Sequence, residues 1–434
     1  MGRPGSAGQA DEQLRQARRA DASNQVLQAE LHFLAVLRLM PDHVESLVRL
    51  SQYAVRRGQA MRAVEFLITA VRARPADESL VVDLAVALMA GGRTQDAMVA
   101  IEAHLRPNAG SHTAWLLLGQ LRESAGDGAG ALKAWYQAVT RAQRSGCWLD
   151  SNTTPELLLD VVLQAVERVR VGRRELFFEA FGDLVELHGA VELRRVERAL
   201  TGYLRDWDST PADSRQRPKF FYFPDLPNAP YQDPSLQPWV GSLQAAFEDI
   251  RAEALRVVAE DQRLPAFAEV PAGVRPGHLA GKAAEPSWEA FFFYRHGKRF
   301  DANHLRCPGT SAVLESIELC RIDGDAPEIC FSVLRPGTHI LPHHGVTNVR
   351  LVMHLPLLVP QHCALNLVGI GEHVWQEGRL VMFDDTYQHE AWNHSDSTRI
   401  VLLMDCWNPH LSGVERRAVK QLIEAISGLQ NISR

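Results

Sequence analysis

Eight histidines (His339, His343, His344, His354, His362, His373, His389 and His394) fall within 56 residues of this chain (394 − 339 = 55 steps). Neutral imidazole suits Fe(II), and a mononuclear non-haem iron usually takes two histidines and one carboxylate on one face. His343 ends one strand-like stretch, and His389 follows another, GRLVMFDD, that runs into an acidic turn. Two such positions on different strands can meet at the open mouth of a barrel. The carboxylate commonly lies two residues after the first histidine, and here that position is Gly345. Motif logic alone therefore argues against iron. A single histidine in a strand is more often a core or surface residue than a ligand, so the reading rests on arrangement.

The elements that must position these residues begin with Ser332 to Pro360, SVLRPGTHILPHHGVTNVRLVMHLPLLVP. It reads as two strands joined by a turn at His343-His344-Gly345. Along the second strand Arg350, Val352 and His354 alternate with Leu351, Met353 and Leu355. A period of two puts the trios on opposite faces of a sheet. Arg350 and His354 on an inner face need a buried partner such as a ligand or an ion.

Composition divides the chain. Residues 11–145 are helical and repetitive: Ala29, Ala63, Ala97 and Ala131 recur at a fixed step (63 − 29 = 97 − 63 = 131 − 97 = 34). Ala17, Ser51, Ala85 and Gly119 keep the same frame, as do Phe33, Leu67, Ile101 and Trp135. Leu47, Val81 and Trp115 share it too, with Gln13 standing in the first repeat. Small residues let helices approach, large ones fill the gap beside them, and Pro41 and Pro75 stop the second helix of a pair. This pattern resembles tetratricopeptide repeats, which stack into an α-solenoid with a concave face suited to a peptide or protein partner, or to use as a spacer. Residues 146–214 are expected as connecting helices without the 34-residue frame. From Pro218, PKFFYFPDLPNAPYQDP is too rich in proline for one helix and marks the entry to a domain over 215–434. A helix is predicted over 236–261, followed by Gly/Pro/Ala-rich loop to Glu285. From Trp288 short strand-like stretches dominate, separated by Pro-Gly, His-Gly and Glu-Gly turns. They predict a double-stranded β-helix, the jelly-roll or cupin-like barrel, with flanking helices and a last amphipathic helix from Ser412.

The formal net charge of −6, with no long basic run, argues against a general nucleic-acid binder. No stretch of about 18 apolar residues predicts a membrane span. The start, MGRPGSAGQ, lacks a signal-peptide core. It fits a loose myristoylation pattern at Gly2, and more simply a disordered tail over residues 1–10. The six cysteines form no CxxC pair and suit reduced thiols in a cytoplasmic setting.

SVLRPGTHILPHHGVTN, the Arg350-Leu351 and His354-Leu355 pairs, GRLVMFDD, HEAWN and the following Arg399 together resemble the aspartyl/asparaginyl beta-hydroxylase family, from Phe220 to Pro409. The resemblance implies an Fe(II)- and 2-oxoglutarate-dependent dioxygenase, using O2, that hydroxylates an aspartyl- or asparaginyl-type side chain of a peptide or protein. Its iron site has two histidines and no carboxylate, so Gly345 becomes an agreement. His343 and His389 match the iron ligands. Ser332 and Arg399 match the residues that bind the distal carboxylate of 2-oxoglutarate, and His354 a residue near its other carboxylate. Arg350 and Trp288 match substrate-pocket positions. Arg399 opens the apolar stretch RIVLLMDCW, where an unpaired guanidinium is costly and a bidentate carboxylate is its natural partner. Asp384 and Asp385 are expected as turn and strand-end residues, with direct ligation the lesser reading. One departure stands out: the best-known members read RLRMH, and the second arginine is Val352 here. This weakens an aspartyl substrate more than it weakens iron or 2-oxoglutarate. Two alternatives remain: the same chemistry on a small molecule or lipid, with the repeats used for assembly, and a scaffold with an inactive barrel.

Overall fold

The computed structural model describes residues 6–261, 263–268, 277–281 and 287–430. It divides between Arg173 and Arg174 into two compact units. The first holds four antiparallel helix pairs: α1 (Ser6–Ala22) with α2 (Val26–Leu39), α3 (Val44–Arg56) with α4 (Ala60–Ala73), α5 (Glu78–Ala90) with α6 (Thr94–Leu105), and α7 (His112–Ser124) with α8 (Gly128–Arg144). The residues at the 34-step are the ones that pack. Ala29, Ala63, Ala97 and Ala131 are fully buried, and a Cβ on Gly119 would lie 2.3 Å from the Trp135 ring. A further 34-step lies in the turns within each pair, where Asn24, Gly58, Gly92 and Gly126 all adopt positive φ (58 − 24 = 92 − 58 = 126 − 92 = 34). Gln13, the odd member of its series, is half-buried and pairs with His32 Nδ1 at 2.8 Å.

Two boundaries differ from expectation. Helix α1 begins at Ser6, inside the stretch expected as tail, because Ala10 is buried one heptad before buried Ala17. Residues 1–5, with Gly2, lie outside the described residues. The segment 146–214 is not one connector. Val162, Ala165 and Val169 of α9 (Leu159–Glu179) join the core of the repeats. Helices α10 (Gly182–His188) and α11 (Ala190–Tyr203) belong to the second unit, where Arg195 pairs with the buried Glu415 at 2.6 Å.

The second unit is built on two antiparallel sheets. The larger orders β1 (Tyr231–Gln232), β10 (Val381–Phe383), β7 (Arg350–Leu358), β12 (Arg399–Trp407), β5 (Ile329–Leu334), β3 (Trp288–Arg295) and β4 (Lys298–Arg299). The smaller orders β2 (Leu279–Gly281), β6 (Thr338–His343), β11 (His389–Asn393), β8 (Cys363–Leu367) and β9 (Gly371–His373). The alternation along β7 is as predicted. Leu351, Met353, Leu355 and Leu357 join a core with Ile250, Val257 and Leu314, while Arg350, Val352 and His354 face a cavity. The helix expected over 236–261 breaks at Ala246 into α12 (Val240–Ala245) and α13 (Phe247–Glu260). Helices α14 (Asp301–Arg306) and α15 (Pro308–Ser316) interrupt the region read as strands, with Pro308 at the first turn of α15, where it suits a helix start. Helix α16 (Gly413–Gln430) closes the unit. Much of the loop expected before Glu285 lies outside the described residues. Among the described residues, no helix is long and apolar enough to cross a membrane.

Candidate active site

The seven residues singled out from the sequence (Trp288, Ser332, His343, Arg350, His354, His389 and Arg399) all line one cavity of about 520 Å³. Residues of both sheets form its walls. On the smaller sheet His343 of β6 and His389 of β11 are register partners on adjacent strands. Their ring centroids lie 4.1 Å apart. The Nδ1 of His343 donates to Leu341 O at 2.8 Å, and that of His389 to Tyr387 O at 3.0 Å. A carbonyl only accepts, so each ring carries its proton on Nδ1 and keeps the Nε2 lone pair. Burial lowers the pKa of His343, and burial followed by the His343 charge pushes His389 down to about 3. Both rings are thus held neutral, the form that binds metal. Among the described residues, no group of three or more His, Cys, Asp or Glu side chains is placed to hold a metal.

The larger sheet supplies the opposite wall. Arg399 is 1% exposed. Its Nη1 reaches Ser332 O at 3.3 Å and Ser332 Oγ at 3.4 Å, and its Nε has no partner. No carboxylate pairs with it among the described residues; the guanidinium lies 5.0 Å over the Trp375 ring. Burial pushes its pKa down to about 10. Ser332 Oγ also accepts from Trp288 Nε1 at 2.9 Å, and Phe267 stacks on Trp288 at 3.9 Å. His354 is buried with an unpartnered Nδ1. Burial and the Arg399 charge hold it neutral. Orphaned polar atoms at such depth point to a missing anionic partner.

The far end of the cavity differs. Arg350 Nη1 meets Asp325 Oδ2 at 3.1 Å and Asp405 Oδ2 at 3.3 Å. Glu328 and Asp385 line the same end. Burial pushes Glu328 up to about 7, and burial with the Asp384 charge pushes Asp385 up to about 8. A Cβ on Gly345 would fall 2.0 Å from the Asp385 carboxyl group. Any side chain at that position would have to displace the Asp385 carboxyl group, which fills the space beside Gly345. Asp384 instead caps its own turn, accepting from Thr386 N at 2.9 Å and Gln216 Nε2 at 2.8 Å. Asp325, Glu328 and Asp405 escaped sequence reading, since no local spacing links them to Arg350. Trp375 stands in the stretch WQEGRLVMFDD that carries the resemblance, but sequence reading gives it no role. A larger open groove of about 920 Å³ near Trp207 and Tyr222 contains none of these residues.

Residues 244–409 match the family described as aspartyl/asparaginyl beta-hydroxylase. The chain is 33% identical to an ornithine lipid ester-linked acyl 2-hydroxylase of Rhizobium tropici, over 42% of this chain and 62% of that protein. It is 31% identical to the human aspartate beta-hydroxylase domain-containing protein 2, over 52% of this chain and 59% of that protein. The chain thus spans roughly three-fifths of the length of these relatives. A solved structure, the MamA protein, aligns with a TM-score of 0.31 and 16% identity, covering 47% of this chain and all of that one.

Proposed function

This chain belongs, through residues 244–409, to the aspartyl/asparaginyl beta-hydroxylase family, and from that premise we propose that its second unit is an Fe(II)- and 2-oxoglutarate-dependent hydroxylase. We read its two sheets as the jelly roll of that family. The observation that carries the proposal is the juxtaposition in one cavity of two facing neutral imidazoles and a buried guanidinium without a carboxylate. When bound, Fe(II) with 2-oxoglutarate and O2 supplies hydroxylation of an unactivated C–H bond, with succinate and carbon dioxide as co-products.

The protein's share is positioning. His343 and His389 offer Nε2 from rings fixed by backbone carbonyls, the arrangement that orients metal-binding histidines. Arg399 would grip the distal carboxylate, as guanidinium forks grip carboxylates. Ser332 Oγ already accepts from Trp288, so its own O–H is available to a carboxylate oxygen. His354 would stand near the other carboxylate. Phe383, Leu365, Ala391 and Leu403 give the cavity an apolar lining between these polar groups. The helical repeats would dock a peptide or protein substrate.

A second reading keeps the chemistry and changes the substrate to a lipid or small molecule. Two observations favour it over an aspartyl side chain: Arg350 is already paired with two carboxylates, and Val352 stands beside it. The test is turnover. His343→Ala and His389→Ala should each abolish Fe(II)-dependent succinate formation from 2-oxoglutarate, measured by mass spectrometry. Retained turnover in either purified, folded variant would sink the proposal.

A further inference from the structure

We infer that the cavity end opposite Arg399 receives a cationic group, a primary ammonium or guanidinium on a short alkyl stem, rather than a carboxylate. The inference rests on the hydroxylase reading for what happens to the substrate, but not for what binds. The cavity is a ligand site on independent grounds, since the buried Arg399 Nε and His354 Nδ1 lack partners within its wall. Its other end carries the carboxyl groups of Asp325, Glu328, Asp385 and Asp405. Among the described residues, the cavity lining brings two guanidiniums to them, Arg295 and Arg350, alongside His296, and the Lys219 charge also acts on Asp385.

Both guanidiniums are engaged. Arg350 lies between Asp325 and Asp405 at 3.1 and 3.3 Å. Arg295 donates to Phe267 O at 3.1 Å and packs over the Phe292 ring at 4.7 Å. Its Nε stands 4.0 Å from Glu328, at the limit of an ion pair. Glu328 accepts a hydrogen bond from the backbone N–H of His296 at 3.2 Å, and the His296 Nδ1 lies 3.8 Å from the same oxygen. An entering carboxylate would find both guanidiniums engaged and would add a charge beside Asp325 and Asp405, the pair that holds Arg350. An entering cation would instead pair with Glu328 or Asp385, whose ionised forms burial disfavours and a neighbouring cation restores. Between this end and the histidines the wall is apolar, with Val352, Val346 and Leu403, which suits an alkyl stem. A hydrogen on that stem would face the histidine pair.

The test is equilibrium binding to the full metal-free chain, by isothermal titration or ligand-observed NMR. Saturating glutarate is included so that no monoacid is scored at Arg399. The probes are n-butylammonium, n-butanol and butyrate. Butylammonium should bind at least about tenfold more tightly than butyrate, one tenfold step being the scale of a single well-placed charge interaction. Glu328→Gln should shrink that ratio several-fold and leave butanol unchanged. Asp325→Asn serves as the second variant should the first fail to fold. Equal or reversed preference, or a ratio unmoved in a folded variant, overturns the inference, and because no iron or turnover is involved it leaves the hydroxylase reading intact. Adding Nα-acetyl-lysine methylamide and dodecylammonium separates the sources. Tighter binding of the first assigns a peptide side chain and of the second a long-chain lipid, and either ranking keeps the cation.

Discussion

Arg399 and Arg350 open neighbouring antiparallel strands and face one cavity from opposite ends. Arg399 is buried against an indole ring and a serine, and among the described residues no carboxylate pairs with it. Arg350 is held by two. Burial lowers the pKa of the first, while the Asp405 and Asp325 charges raise that of the second against the same burial cost. An isolated buried charge is expensive for a free fold and becomes favourable when a ligand completes it. A compensated one belongs to the fold itself. One residue type in one cavity thus has two uses, and neighbouring carboxylates decide which.

Substitution by a residue of similar volume should separate the two. Arg350→Met would leave Asp325 and Asp405 without a countercharge and should destabilise the second unit by about 3–5 kcal/mol, the cost of breaking a buried pair. A denaturant midpoint within error of the parent would show that the pairing is not structural. Arg399→Met should act the other way on stability, leaving it unchanged or raised, because an uncompensated charge is removed. Its effect should fall on the proposed co-substrate. The apparent affinity for 2-oxoglutarate should drop by about 2–4 kcal/mol, roughly 30- to 1,000-fold, the cost of truncating one side of a charge-assisted contact. Unchanged affinity would remove Arg399 from that role. A large loss of stability would mean that its partner lies within the protein.

This contrast also marks where the sequence was readable. Period-two alternation placed Arg350, Val352 and His354 on the cavity face, because a strand leaves side chains no other choice. The 34-step placed the alanines of the repeats, because stacked helices must meet at small residues. Neither rule says who sits opposite. Asp405 reaches Arg350 from the adjacent strand, with Val352 as its register partner, and Asp325 comes from a turn before β5. Both depend on register, which no local pattern carries. The match between Gly345 and the Asp385 carboxyl group is of the same kind. Each residue was noticed alone, and only the packing of one loop on another joins them. Helices α14 and α15 were missed because a proline and a glycine at their junction read as a turn.

Glu328 offers the smallest test and refines the comparison, since it is neither orphaned like Arg399 nor neutralised like Arg350. Burial raises its pKa from the ordinary 4.5 to about 7. A raised folded-state value means that the native protein holds its proton more tightly than the unfolded chain. The contribution is therefore fully present below about pH 4.5 and is lost as pH rises through about 7. Its side chain is 18% exposed, so solvent screening trims the effect to the order of 1–2 kcal/mol, one pKa unit corresponding to about 1.4. Glu328→Gln should remove that loss: relative to the parent, the variant should gain stability between pH 5 and pH 8 in paired urea titrations. His389 titrates in the opposite sense but is common to both chains, so the difference isolates Glu328. Parallel stability curves for the two chains would mean that Glu328 is already fully compensated, and the far end of the cavity would then resemble Arg350 after all, with no countercharge left for a ligand to supply.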